Sequence, residues 1–182
     1  MQKVVNFVLF QVGWFACVLS AARQMPWLGV FVVLAIVAWH LSQAKRAKPE
    51  VFLLLAVLFI GGIYDQTMIQ NGLLTYQSPG WDNLYSGSNL VPIWILALWA
   101  EFVTILNVSL RWMHGKWIVA ILFGAIGGPL AYLGAAKLGA VTINAVPLSY
   151  IALSLGWAVI TPLLLKLSEN LDGFKPVDGF KT

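Results

Sequence analysis

The stretch IWILALWAEFVTILNVSL, residues 93–110, decides what kind of molecule this is. It is long and apolar enough to be a membrane-spanning helix, yet it carries Glu101 near its middle. A carboxylate at that depth costs about 2.5 to 3.5 kcal/mol on insertion scales, so its side chain has to face protein or water rather than lipid. With Glu101 as zero at about 100° per residue, Thr104 falls at about −60°, Arg111 at about −80° and Asn107 at about −120°. Trp99, Phe102, Val103, Leu106 and Leu110 take the opposite half. The polar side therefore turns Glu101 into a bundle, with Thr104 and Asn107 beside it.

The rest of the chain agrees. Of its 182 residues 60% are hydrophobic and 10% charged, with a mean hydropathy of +0.83, more apolar surface than a soluble domain of this size can hide. The sequence reads as all-α, a polytopic membrane protein. Its net charge of +4 comes from basic residues at the ends of spans, so no nucleic-acid partner is expected. The single cysteine, Cys17, leaves no intrachain disulfide. Two histidines, His40 and His114, lack metal-ligand spacing to any Cys, Asp or Glu, and neither a metal nor a cofactor is expected. No G-x-S-x-G, H-E-x-x-H, P-loop or dinucleotide fingerprint occurs.

A hydrocarbon core about 30 Å thick needs about 20 helical residues. Six such spans are legible, at 4–22, 27–41, 51–69, 91–112, 117–132 and 146–165, with an external loop at 70–90. With the N-terminus inside, cytoplasmic segments carry Lys3, Lys45, Arg46, Lys48, Arg111, Lys116, Lys166, Lys175 and Lys181, and external ones only Arg23 and Lys137. That bias puts both termini in the cytoplasm. Trp27, Trp39, Trp94, Trp112 and Trp117 fall near interfaces, as an aromatic belt requires. Lys3, an apolar run and Ser20-Ala21-Ala22 resemble a cleavable signal, but Asn6, Gln11 and Trp14 make a poor signal core and the run reads as a retained span. Tyr76, Trp81 and Tyr85 in the external loop suggest a lid or a segment lying on headgroups. Residues 168–182, with Asp172-Gly-Phe-Lys175 repeated at 178–181, read as a flexible cytoplasmic tail.

Asp65, late in the third span, lies about 21 Å across the membrane, and Glu101 about 12 to 15 Å from the external side. The two carboxylates therefore suggest one shared cavity, the alternative being that Asp65 is solvated among headgroups. Gly61 and Gly62, one turn earlier, permit close backbone approach. Asn6 and Gln11 on the first span and Tyr150 on the sixth are candidate ligand or proton-site residues, with Asn107 and Thr104. Gly124, Gly127, Gly128 and Pro129 on the fifth suit either close packing or a helix kink.

The opening Asn6-Phe-Val-Leu-Phe-Gln-Val-Gly-Trp-Phe-Ala-Cys-Val-Leu19, with Trp99-Ala-Glu-Phe102 and Gly127-Gly-Pro-Leu-Ala-Tyr132, resembles a bacterial inner-membrane family, domain of unknown function 2878. The resemblance brings no activity, cofactor or catalytic residue. It implies a setting beside fatty-acid-modifying and flavin-dependent enzymes, hence a lipid-related role. The expectation is a transporter-like or binding protein that holds a small or lipophilic ligand in a cavity bordered by Glu101 and Asp65, in contact with membrane lipid and, given its small size, as a homodimer. The alternatives are a membrane-embedded enzyme or enzyme subunit acting on lipid, with Glu101 as acid or base, and a non-catalytic assembly or anchoring protein.

Overall fold

The computed structural model describes residues 2–77 and 90–175. Trp81, Tyr85 and the second Asp-Gly-Phe-Lys repeat lie outside the described residues. Six α-helices carry the described chain: α1 (Gln2–Ala22), α2 (Pro26–Gln43), α3 (Ala47–Gln70), α4 (Ile93–Leu106), α5 (Trp117–Lys137) and α6 (Leu148–Asn170). All but α4 are long and apolar enough to cross a membrane. Their outward faces form an apolar sheath, from Phe7 on α1 and Phe31 on α2 to Phe59 on α3, Ile126 on α5 and Leu155 on α6. So much exposed apolar surface marks a membrane protein.

Helix α4 differs from the expected span 91–112. It has 14 residues, about 21 Å of helix at 1.5 Å per residue. It stops at Leu106 because side chains from the following loop take over its last carbonyls. Arg111 Nε donates to the Asn107 carbonyl at 2.7 Å, and His114 Nε2 contacts the Leu106 carbonyl at 3.1 Å. Turns and a single 3₁₀ turn, Arg111–Met113, complete the segment. α4 is the central helix, with α1, α2 and α3 packed upon it. Trp99, Phe102, Val103 and Leu106, read as one half of the helix facing away from the polar side, are as buried as Glu101 and Thr104. Trp94, expected in an aromatic belt, has no exposed surface.

Helices α5 and α6 pack closely because α5 presents Gly124 and Gly128. A Cβ at Gly124 would strike the Trp157 carbonyl, and one at Gly128 the Trp157 ring. Ser154 Oγ fastens the contact, donating to the Ala125 carbonyl at 2.7 Å. α5 runs unbroken past Pro129 to Lys137, five residues beyond the expected end at 132. Two short strands, β1 (Leu74–Tyr76) and β2 (Val141–Ile143), pair antiparallel, with Thr75 opposite Thr142. This ribbon ties the end of α3 to the α5–α6 connection.

The start of the expected flexible tail is ordered structure. α6 continues to Asn170, Ser168 and Asp172 are buried, and the Gly173 N–H donates to Glu50 Oε1 at 2.8 Å. A buried carboxylate needs donors, and the chain after α6 supplies one.

Candidate functional site

Gly61 and Asp65 lie one turn apart on the side of α3 that meets α4. A Cβ at Gly61 would fall inside the Trp99 indole, so the missing side chain is what admits that ring. Once admitted, Trp99 Nε1 donates to Asp65 Oδ2 at 2.6 Å. Tyr132 of α5 donates its hydroxyl to Asp65 Oδ1 at 2.6 Å, and Tyr76 of β1 donates to the same oxygen. The ribbon pairing, with Tyr76 opposite Val141, holds that third donor in place. Asp65 has no exposed surface. Its reading as a headgroup-solvated carboxylate is corrected: three donors from three elements replace water around it.

A cavity of about 420 Å³ lies beside Asp65. Small-molecule sites fall in the same size range. α4 and α6 form its floor, where the Trp99 and Trp157 rings stack at 4.9 Å with planes 7° apart. Helices α1 and α5 form its sides, through Phe10, Gln11 and Trp14 on one and Gly127, Ala131 and Tyr132 on the other. Its lining also includes residues on the outer surface, Phe7 and Phe15 of α1 and Phe123 and Leu130 of α5. The cavity therefore opens sideways, between α1 and α5, onto the apolar sheath. Asp65 is the only charged residue among the described lining. Trp94 Nε1, Trp157 Nε1 and Thr161 Oγ1, all on lining residues, have no hydrogen-bond partner among the described residues. Each such buried group left unmade costs about 1–3 kcal/mol.

Glu101 belongs elsewhere. Two residues from Trp99, it projects about 200° away around α4. Its carboxylate fills the space over Gly13 of α1, where a Cβ would collide with Oε1. It does not line the cavity, and neither oxygen has a partner among the described residues. The shared cavity expected of Asp65 and Glu101 is thus not formed. Thr104 lies beside Glu101 but donates its hydroxyl to the Glu101 backbone carbonyl at 2.7 Å. Asn6 Nδ2 donates to the Thr104 carbonyl at 3.0 Å, and Ser109 Oγ donates to Asn6 Oδ1 at 2.6 Å. The first joins α1 to α4 and the second joins α1 to the turn that follows α4. Gln11 is exposed at the rim of the cavity, while the half-buried Tyr150 does not line it. Of the glycines, Gly127 faces the cavity with open space around it, the nearest atom to an added Cβ being in Phe123 at 3.9 Å.

Asn107 serves a third buried carboxylate, Glu50, that sequence reasoning passed over. Glu50 has no exposed surface. Asn107 Nδ2 donates to Glu50 Oε1 at 2.8 Å, and His40 Nε2 lies 3.1 Å from Oε2. Asp172 seals the group from below, paired with Arg111 at 2.8 Å, while Arg46 donates to its carbonyl at 3.1 Å. Amid Lys45, Arg46 and Lys48, Glu50 looks like one more solvated charge. The available signal was the short polar connection that brings His40 and Glu50 to adjoining helix ends.

An apolar sheath of long helices around a short central one defines a helical membrane protein. Residues 3–163 match the family described as protein of unknown function (DUF2878), and the chain belongs to it, as the sequence motifs suggested. No curated protein and no solved structure matches the chain.

Proposed function

We propose that the chain crosses a bacterial cytoplasmic membrane six times with both termini inside, and that it holds a small or lipophilic ligand in the cavity beside Asp65. The cytoplasmic excess of Lys and Arg supports that orientation. α4 makes its crossing inside the sheath of the other helices, so its short length need not match the bilayer. The observation that carries the ligand reading is the cavity itself: an apolar chamber open to the sheath, with a fully buried, three-donor carboxylate against it. Asp65 takes the central place first assigned to Glu101. Binding or transport is favoured over catalysis, because no His, Cys, Lys or Ser stands among the described lining to pair with Asp65.

The test is to purify the protein in mild detergent beside Gly127→Phe, whose ring would fill the chamber, and to identify retained lipophiles by mass spectrometry. A species enriched on the wild type and lost from the variant is expected. Equal amounts of every species on both proteins would reject the reading.

A further inference from the structure

The polar groups around the cavity state what its occupant has to carry. Trp157 and Thr161 lie one turn apart on α6, and both line the chamber. A Cβ at Gly124, which also lines it, would stand 2.5 Å from Thr161 Oγ1, so only a bare backbone fits beside that hydroxyl. Trp157 Nε1 and Thr161 Oγ1 both lack a hydrogen-bond partner among the described residues. An indole N–H can only donate, so whatever satisfies Trp157 must bring an acceptor. At the far end Trp94 Nε1 is in the same position.

Charge narrows the class further. No Lys, Arg or His stands among the described lining residues, so an anionic head would enter a chamber holding only the carboxylate of Asp65. Burying a charge without a partner is unfavourable. An ammonium would meet Asp65, but that carboxylate already accepts three hydrogen bonds, and an ammonium has no lone pair for Trp157. A neutral oxygen satisfies the unpartnered donors and leaves Asp65 as it stands.

We propose that the cavity selects a neutral, oxygen-bearing lipophile, a long-chain alcohol, ketone or ester, whose oxygen accepts from Trp157 Nε1 and Thr161 Oγ1 while its chain lies toward the α1–α5 opening. This rests on the reading of the cavity as a ligand site.

Three bromine-labelled probes of equal chain length test it: hexadecanol, hexadecanoate and hexadecylammonium, each titrated into nanodiscs containing the protein. Bromine quenches indole fluorescence on contact, and quenching in excess of that in Gly127→Phe reports occupancy of the chamber. Ala131→Leu, a smaller intrusion into the same lining, serves as a second blocked variant should Gly127→Phe not fold. The alcohol is expected to quench at least about tenfold more effectively per probe than either ion. Thr161→Val should weaken the alcohol by about twofold to tenfold, the worth of one ordinary hydrogen bond, and leave the ions unchanged. If hexadecylammonium or hexadecanoate equals the alcohol in wild type but not in the blocked variants, the ligand class is overturned while the cavity reading stands. If no probe quenches the wild type more than the blocked variants, the cavity reading itself fails.

Discussion

The indole of Trp99 occupies the volume that a side chain at Gly61 would need, and from there its Nε1 reaches Asp65 Oδ2 at 2.6 Å. One missing side chain on α3 thus sets both the α3–α4 contact and one of the donors to the buried carboxylate. Gly61→Ala should displace the ring and break that bond. Overpacking of this kind costs about 1–3 kcal/mol. The expected result is a lower melting temperature in detergent with a changed near-ultraviolet signal from tryptophan. Gly62→Ala is the control, since the nearest atom to its added Cβ is a Leu96 methyl at 3.3 Å, which can yield.

Asp65→Asn should be costly although it is isosteric. Three donors converge on the carboxylate, and an amide offers one oxygen and turns N–H groups toward the rest. A loss of about 1–3 kcal/mol is expected for a donor left unmade. Tyr132→Phe, which removes one donor and leaves the acceptor two others, should cost less. Reversible unfolding in mixed micelles measures both, and the reverse order would contradict the account of Asp65.

Glu101 should respond in the opposite way. Its carboxylate has no partner among the described residues, so Glu101→Met removes an unsatisfied buried group and keeps most of the volume. Stability is expected to hold or to rise by about 1–3 kcal/mol. Gly13→Ala should lower the melting temperature, because the new methyl meets the carboxylate, and Gly13→Ala combined with Glu101→Ala should recover part of the loss.

The Glu50 cluster predicts that the chain after α6 contributes to stability. His40→Ala leaves the buried Glu50 without the imidazole 3.1 Å away, and a hydrogen-bond partner lost at a buried group costs about 1–3 kcal/mol. Truncation after Asn170 removes the Gly173 N–H and the Asp172–Arg111 pair together. Both proteins should melt at lower temperature than the full chain, and a truncated chain as stable as the parent would show that the docked segment contributes nothing.

Burial lowers the pKa of His114 from its ordinary 6.5, with Arg111 acting in the same direction and the Leu106 carbonyl, Glu169 and Asp172 against it. The folded protein thus binds this proton less readily than the unfolded chain. As pH falls below 6.5 the unfolded state takes up the proton first, so the stability contributed by the neutral ring is lost through the window below that value. A melting temperature that falls between pH 7 and pH 5, with a shallower slope in His114→Gln, is expected.

The all-helical membrane architecture was legible because apolar runs announce themselves without tertiary context. The length of α4 was not, since its end is set by Arg111 and His114 taking carbonyls across a loop, and side-chain capping from downstream leaves no periodicity to read. Asp65 was legible as a cavity residue but its donors were not: they come from α4, β1 and α5, and only the strand pairing brings Tyr76 near. Glu101 was conspicuous on a wheel, but a wheel shows which side of a helix is polar and not which neighbour fills it. Asn107 sits about 120° around α4 from Glu101, and that placement masked its partnership with Glu50, a contact between elements far apart in sequence.

The ribbon of β1 and β2 lies across the Asp65 end of the cavity, with Val141 in its lining, while the side between α1 and α5 is open. A molecule entering by that side comes out of the lipid phase and never from bulk water. Its occupancy is then governed by mole fraction in the bilayer, and an apparent aqueous affinity would scale with the partition coefficient. Two ligands with equal contacts inside the protein would differ in apparent potency by as much as their partitioning differs, so affinities for this fold compare only when expressed per lipid.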